Sequence, residues 1–392
     1  MKNRLLNPVI HDSKLRIEYI MAAFIFLLIV STAFSVDIYT SVVGTWTRQE
    51  GLLTWFGYLS MFYLYYRLIN YNETTLVDML KKLFIVSAII SVYGFMQHFD
   101  VDFLSLIVSW DSPTSSIAFF DNPNFYGTYL VITMGIGMGL FLMAATRNHL
   151  WFYGIILFFM TSVLLYTNTR SAWIGMAVVA LYYTLTLVRE NKLWKQWIPL
   201  LIAMGIMAIV INASEEGRYL GKIFKTIDET EDILEDGLTG HEGSSRLIIW
   251  KKDLTILDDY FWIGSGVDTH GIVFPATPDE LEEYFSNRTI MVDKAHNEYL
   301  QLAVTVGVPA LVCYLILVFM VVRKAIKALQ IAEDREKYLL HIMLAVISGY
   351  LVQANFNISV VSVAPIYWAL LGTVYGYSSY ILSELAIKKI NY

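Results

Sequence analysis

Ten stretches of this chain run for about the thickness of a bilayer with almost no charge: residues 17–36, 51–66, 83–98, 124–145, 149–167, 171–188, 196–213, 297–322, 338–358 and 364–383. A hydrocarbon core takes about 20 apolar residues per helix, and a backbone inside it must satisfy its own polar groups, so each stretch is predicted to cross as a helix. Composition agrees. Side chains are 56% hydrophobic and 16% charged, where soluble chains carry about 25% charge. The mean hydropathy of +0.53 is more than a solvent-facing surface can absorb. The expected fold class is an all-α polytopic membrane protein with about 10 transmembrane helices. The first stretch follows a charged 16-residue leader without a small-residue cleavage site and reads as a retained span.

Lysine and arginine set the orientation. With the N-terminus inside, Lys2, Arg4, Lys14, Arg16, Arg67, Lys81, Lys82, Arg147, Arg189, Lys192, Lys195, Arg323, Lys324, Lys327, Arg335, Lys337, Lys388 and Lys389 all face the cytoplasm, while the opposite short loops hold only Arg48 and Arg170. This bias predicts two cytoplasmic termini. Trp151, Trp194 and Trp197 near inner ends, and Trp46, Trp110 and Trp173 near outer ends, fit an interfacial belt. The expected organisation is an N-terminal bundle of about seven spans (1–213), a large outer loop (214–295) and a C-terminal bundle of about three spans (296–392).

The lone cysteine, Cys313, excludes an intramolecular disulfide, and no Cys/His cluster has metal-ligand spacing, so no metal is expected. The net charge of −6 argues against a nucleic-acid partner. Two outer stretches are too polar for lipid. One, 99–123, carries Asp100, Asp102, Asp111 and Asp121 without a lysine or arginine. The other, 214–295, holds 18 of the 34 acidic residues against 8 basic ones. Within it, 228–242 reads as a solvated acidic linker. Ser244 or Ser245 is expected to cap an amphipathic helix whose apolar stripe is Leu247, Trp250, Leu254, Leu257 and Phe261. Gly264-Ser265-Gly266 reads as a turn, and Asn122-Pro123-Asn124 as a helix start.

Three groups capable of chemistry fall on the outer side: Arg170 between the fifth and sixth spans, Arg246 at the start of the amphipathic helix, and His296 where the large loop re-enters the membrane. Each has a structural alternative: a headgroup snorkel for Arg170, a surface ion pair for Arg246, a satisfied helix-start histidine for His296. Taken together they suit a phosphate-linked donor meeting a hydroxyl acceptor. Guanidinium forks fit phosphates, and imidazole accepts a hydroxyl proton near neutral pH. With no nucleotide on that side, the donor must arrive activated, on a lipid. Asp293, Asn297 and Glu298 flank the histidine as supporting groups. Gln353, Asn355 and Asn357 either line a groove or bond between helices.

Asn168-Thr169-Arg170-Ser171-Ala172-Trp173-Ile174-Gly175, Arg246-Leu247-Ile248-Ile249-Trp250, Phe261-Trp262-Ile263-Gly264-Ser265-Gly266, Ala295-His296-Asn297-Glu298-Tyr299-Leu300-Gln301 and Val306-Gly307-Val308-Pro309-Ala310 resemble, in this order, the O-antigen ligase and O-antigen polymerase superfamily. Asp121-Asn122-Pro123-Asn124-Phe125-Tyr126-Gly127 also looks like it. The likeness spans roughly 120–375. It implies a GT-C-like glycosyltransferase of the inner or plasma membrane, working on its outer face without cofactor or metal. The implied donor is a glycan on undecaprenyl diphosphate; the implied acceptor is a hydroxyl of a glycan, lipid or wall polymer. Arg170 and Arg246 would hold the diphosphate and His296 would serve as base. Ligase-type transfer is the first expectation. A polymerase of the same superfamily and, in another class, a transporter or flippase for lipid-linked sugars are the alternatives. Transport favours charges near the bilayer midplane, and here the charges collect at one outer face.

Overall fold

The computed structural model describes residues 16–68, 72–102, 115–189, 193–225 and 245–390. The acidic segment 228–242, Ser244, Trp110, Asp111 and the cations Lys2, Arg4, Lys14 and Lys192 lie outside the described residues. The described chain is all-α, with no strand among the described residues.

Six helices are long and apolar enough to cross a membrane: Pro123–Leu142, Arg147–Tyr166, Arg170–Val188, Trp194–Ser214, Val308–Leu329 and Arg335–Phe356. The apolar helix Ile17–Ala33 is shorter, at 17 residues. Leu52–Leu68, Glu73–His98 and Ala364–Ile390 overlap the predicted stretches 51–66, 83–98 and 364–383, the second beginning ten residues earlier and the third ending seven residues later.

Pro123–Leu142 forms the axis of the bundle, and every side chain from Phe125 to Leu142 is buried. Its start follows from the sequence: Asn122 accepts the Asn124 backbone N–H at 2.8 Å, and Pro123 occupies the first turn, where no intrahelical donor is needed. Glycines let neighbours close on it. A Cβ at Gly139 would stand 2.2 Å from Ile342 Cγ1, so a side chain there would push the helix Asp334–Gln353 away. Helix-to-helix hydrogen bonds add to this packing. Gln353 and Asn357 donate to Thr128 Oγ1 at 3.0 and 2.7 Å, whereas Asn355 donates within its own turn to Leu351 and Val352. Around the axis, Ala364–Ile390 lies along Leu52–Leu68, and Val308–Leu329 packs on Ile17–Ala33.

The stretch 297–322, expected as one span, is broken. Glu298–Thr305 and Val308–Leu329 are separate helices, because Gly307 adopts φ 102° and Pro309 can begin a helix but not continue one. The turn at Gly264-Ser265-Gly266 fills the break. Ser265 and Gly266 donate to Val304 and Thr305 at 3.0 and 2.9 Å, and Val308 donates to Phe261 at 2.8 Å. Ser31 of the first helix also donates to Thr305 O at 2.9 Å. Gly264 is required: at φ 77°, a Cβ would lie 2.3 Å from Thr305 O.

The loop helix forms over Arg246–Tyr260, starting where the sequence places it. Ile248, Ile249 and Asp253 are its buried residues. None of Leu247, Trp250, Leu254, Leu257 and Phe261 is fully buried, and Leu254 is 60% exposed. The face turned to the protein holds Asp253, which meets His270 at 2.8 Å, and the apolar stripe is left on the other side. Ser245 does not cap this helix; at φ 62° its hydroxyl donates instead to Tyr284 O at 2.9 Å.

Candidate functional site

The segment Val292–His296 is held residue by residue. The Val292 carbonyl meets His270 Nδ1 at 3.0 Å. Asp293 accepts from Arg48 Nε at 2.7 Å. Lys294 donates to Glu50 and Asp268, both at 2.8 Å. The Ala295 carbonyl accepts from Trp250 Nε1 at 2.9 Å, and the Ala295 N–H donates to Gln301 Oε1 at 2.8 Å. His296 follows at φ 51°, a left-handed conformation that a short loop residue must adopt to turn into the next helix. Its imidazole makes no side-chain hydrogen bond among the described residues.

Beneath this segment, Lys294 is 3% exposed. Tyr58 donates to Glu50 at 2.9 Å, while the Thr45 backbone N–H and hydroxyl donate to Asp268 at 2.7 and 3.0 Å. Removing one partner of a buried ion cluster leaves the others uncompensated, at a cost of about 3–5 kcal/mol. Lys294→Met is therefore expected to lower the thermal midpoint sharply in a detergent melt. An unchanged midpoint would remove the cluster from the list of structural supports.

Of the three supporting groups expected beside His296, Asp293 is paired with Arg48. Asn297 caps the helix that begins at Glu298, accepting from Tyr299 and Leu300 N–H groups at 3.1 Å each. Glu298 turns into the bundle, where Tyr350 donates to it at 3.0 Å. Only Asp293 acts on the His296 charge, and Arg48 opposes it. Arg48 was missed as a site residue. Its signal was in the sequence, since it is one of the two cations that the orientation rule leaves in the opposite short loops.

The arginines converge. Burial and the Arg170 charge both pull the Arg246 guanidinium below its usual range, and Arg246 has no acidic partner among the described residues. Lys222 sits over the start of the Arg170 helix, donating to Asn168 O at 3.5 Å, and it too is pulled down by burial and by Arg170. His296 is pushed down to about 4 by burial first and by the Arg246 charge second, with Asp293 pulling the other way. The result is a neutral imidazole beside a concentration of positive charge, in a partly desolvated space. Such charge is costly to assemble without an anion, and guanidinium forks match phosphate oxygens.

Residues 155–315, which carry Arg170, Arg246 and His296, match the family model described as O-antigen ligase. No match to this chain was found among curated proteins. With the six apolar helices, the match makes residues 155–315 similar to the O-antigen ligase family and points to a multi-pass membrane protein.

Proposed function

We propose that this chain, assigned by residues 155–315 to the O-antigen ligase and polymerase superfamily, is a membrane glycosyltransferase. It moves a glycan from undecaprenyl diphosphate to a hydroxyl acceptor at the outer membrane face, in ligase-type transfer. In this reading the six apolar helices and Ile17–Ala33, Leu52–Leu68, Glu73–His98 and Ala364–Ile390 make ten spans, with both termini cytoplasmic. The observation that carries the activity is a pair of groups without protein partners among the described residues, Arg246 and His296, close enough that the charge of one shifts the other.

The acceptor oxygen attacks the anomeric carbon as His296 takes its proton. The bond from that carbon to the diphosphate oxygen breaks, and its electron pair departs with the diphosphate into the grip of Arg170 and Arg246. A diphosphate is a competent leaving group, so the protein supplies mainly orientation and charge stabilisation, and neither metal nor cofactor is called for.

The test is transfer in proteoliposomes from radiolabelled undecaprenyl diphosphate-linked glycan. Glycan appearing on a lipid–oligosaccharide acceptor supports the ligase reading. A ladder of lengthened chains on the donor lipid would make it a polymerase, and label crossing the bilayer without product would make it a transporter.

The pH dependence has a defined sign. A base works unprotonated, so activity is present above the His296 value and lost as pH falls through it, near 4 in the free enzyme. Bound diphosphate offsets the Arg246 charge and raises the proton affinity of His296. The acid limb of kcat is therefore expected at higher pH than that of kcat/KM, since the two report the complex and the free enzyme respectively. Coincident limbs would mean that Arg246 and His296 do not share a donor.

A further inference from the structure

We propose that Asp253 and His270 form a positioning pair that fixes the placement of His296 relative to Arg246, an inference resting on the reading of His296 as base. Both side chains are fully buried, and His270 Nε2 lies 2.8 Å from Asp253 Oδ1. The other ring nitrogen, Nδ1, lies 3.0 Å from the Val292 carbonyl. A carbonyl only accepts, so Nδ1 carries a hydrogen. The contact at Nε2 then needs a second proton, held either as imidazolium against carboxylate or as neutral imidazole against a carboxylic acid. Both arrangements carry no net charge, which suits a buried site.

The two ends of this bridge matter. Asp253 lies seven residues after Arg246 on one helix, about two turns along the same face. Val292 lies four residues before His296. The pair thus spans the loop helix that presents the donor-binding arginine and the segment that presents the base, while Phe274 stacks on the His270 ring at 5.5 Å between centroids. Of the charged groups on the elements packed around it, Lys252 pairs with Glu280 at 2.7 Å, Asp268 with Lys294, and Asp293 with Arg48, whereas Arg246, Lys251, Asp258 and Asp259 form no ion pair among the described residues. His296, which makes no hydrogen bond among the described residues, also feels the His270 charge. Among the described residues no other buried hydrogen bond joins Asp253 to the catalytic segment, and Trp250 to Ala295 O provides a second, outer tether.

The experiment uses full-length protein in nanodiscs, with steady-state transfer kinetics and thermal melts. In the double variant Asp253→Leu/His270→Phe, apolar groups replace the buried pair, a change that often leaves stability intact. Its kcat is expected to fall by about 10²-fold, the effect of a shift of about 1 Å at a reacting centre, with the donor KM changed little. Asp253→Asn is expected to retain near-normal kcat, because its amide N–H donates to Nε2 of a neutral imidazole whose Nδ1–H still reaches Val292. A double variant with normal kcat overturns the proposal. If that variant does not assemble, Asp253→Ala replaces it, and equal rates for Asp253→Asn and Asp253→Ala overturn the proposal equally. His296→Asn in the same membranes separates the two readings. An active His296→Asn protein sinks the assignment of the base. An inactive one beside an unimpaired double variant sinks only the positioning pair.

Discussion

Replacing His296 is expected to abolish glycan transfer while the protein keeps its fold and its donor. A positioned base contributes about 10²–10⁴-fold in rate, and among the described residues the neighbouring carboxylates are engaged elsewhere: Asp293 with Arg48 and Glu298 with Tyr350. The fold survives because the imidazole makes no hydrogen bond among the described residues that its loss would orphan. Backbone conformation does carry a cost. At φ 51° an alanine strains the left-handed turn, whereas asparagine adopts it readily. His296→Asn is therefore the cleaner variant and His296→Ala the confirmatory one. Both are expected to melt near the parent temperature, to bind undecaprenyl diphosphate-linked glycan with unchanged affinity, and to yield no product above about 1% of the parent rate. Transfer by His296→Asn at a tenth of the parent rate or more would leave His296 with a structural role only.

Much of this arrangement was legible in the sequence, and the reasons are specific. The helix starting at Pro123 was readable because Asn-Pro-Asn is local chemistry, complete within one turn. Arg170 and Arg48 were readable as exceptions because membrane topology sorts charge, and they are the two cations that the orientation rule leaves in the opposite short loops. Arg48 was nonetheless passed over, since its meeting with Asp293 joins residues 245 positions apart, and nothing in either neighbourhood announces it. The break at Gly307 was hidden for a related reason. An apolar run from 297 to 322 satisfies a length criterion, yet the backbone turns where Phe261 and Ser265 come in from the loop. The loop helix shows what periodicity leaves out. Its apolar stripe was readable, whereas the inward face is marked by Asp253, whose partner His270 lies 17 residues on.

Conversion of Arg246 to lysine is expected to lower transfer at least tenfold although the charge is kept. Lysine offers a point charge on a flexible stem, where arginine presents a planar fork that grips two phosphate oxygens at once. Charge on the departing diphosphate grows as the bond to the sugar breaks, so the loss falls more heavily on kcat than on donor KM. Arg246→Met goes further and gives a second signature. It removes the cation that helps hold His296 down to about 4, so the acid limb of kcat/KM moves to higher pH, whereas Arg246→Lys leaves that limb nearly in place. Neither change orphans an acidic partner among the described residues, so both proteins are expected to fold. Arg170→Lys should resemble Arg246→Lys. If the two guanidiniums hold one diphosphate, the double lysine variant loses less than the product of the single losses, as for residues acting on a shared ligand. Strict multiplicativity, with no movement of the acid limb in Arg246→Met, would mean that the two arginines serve different anions and that Arg246 does not stand beside the base.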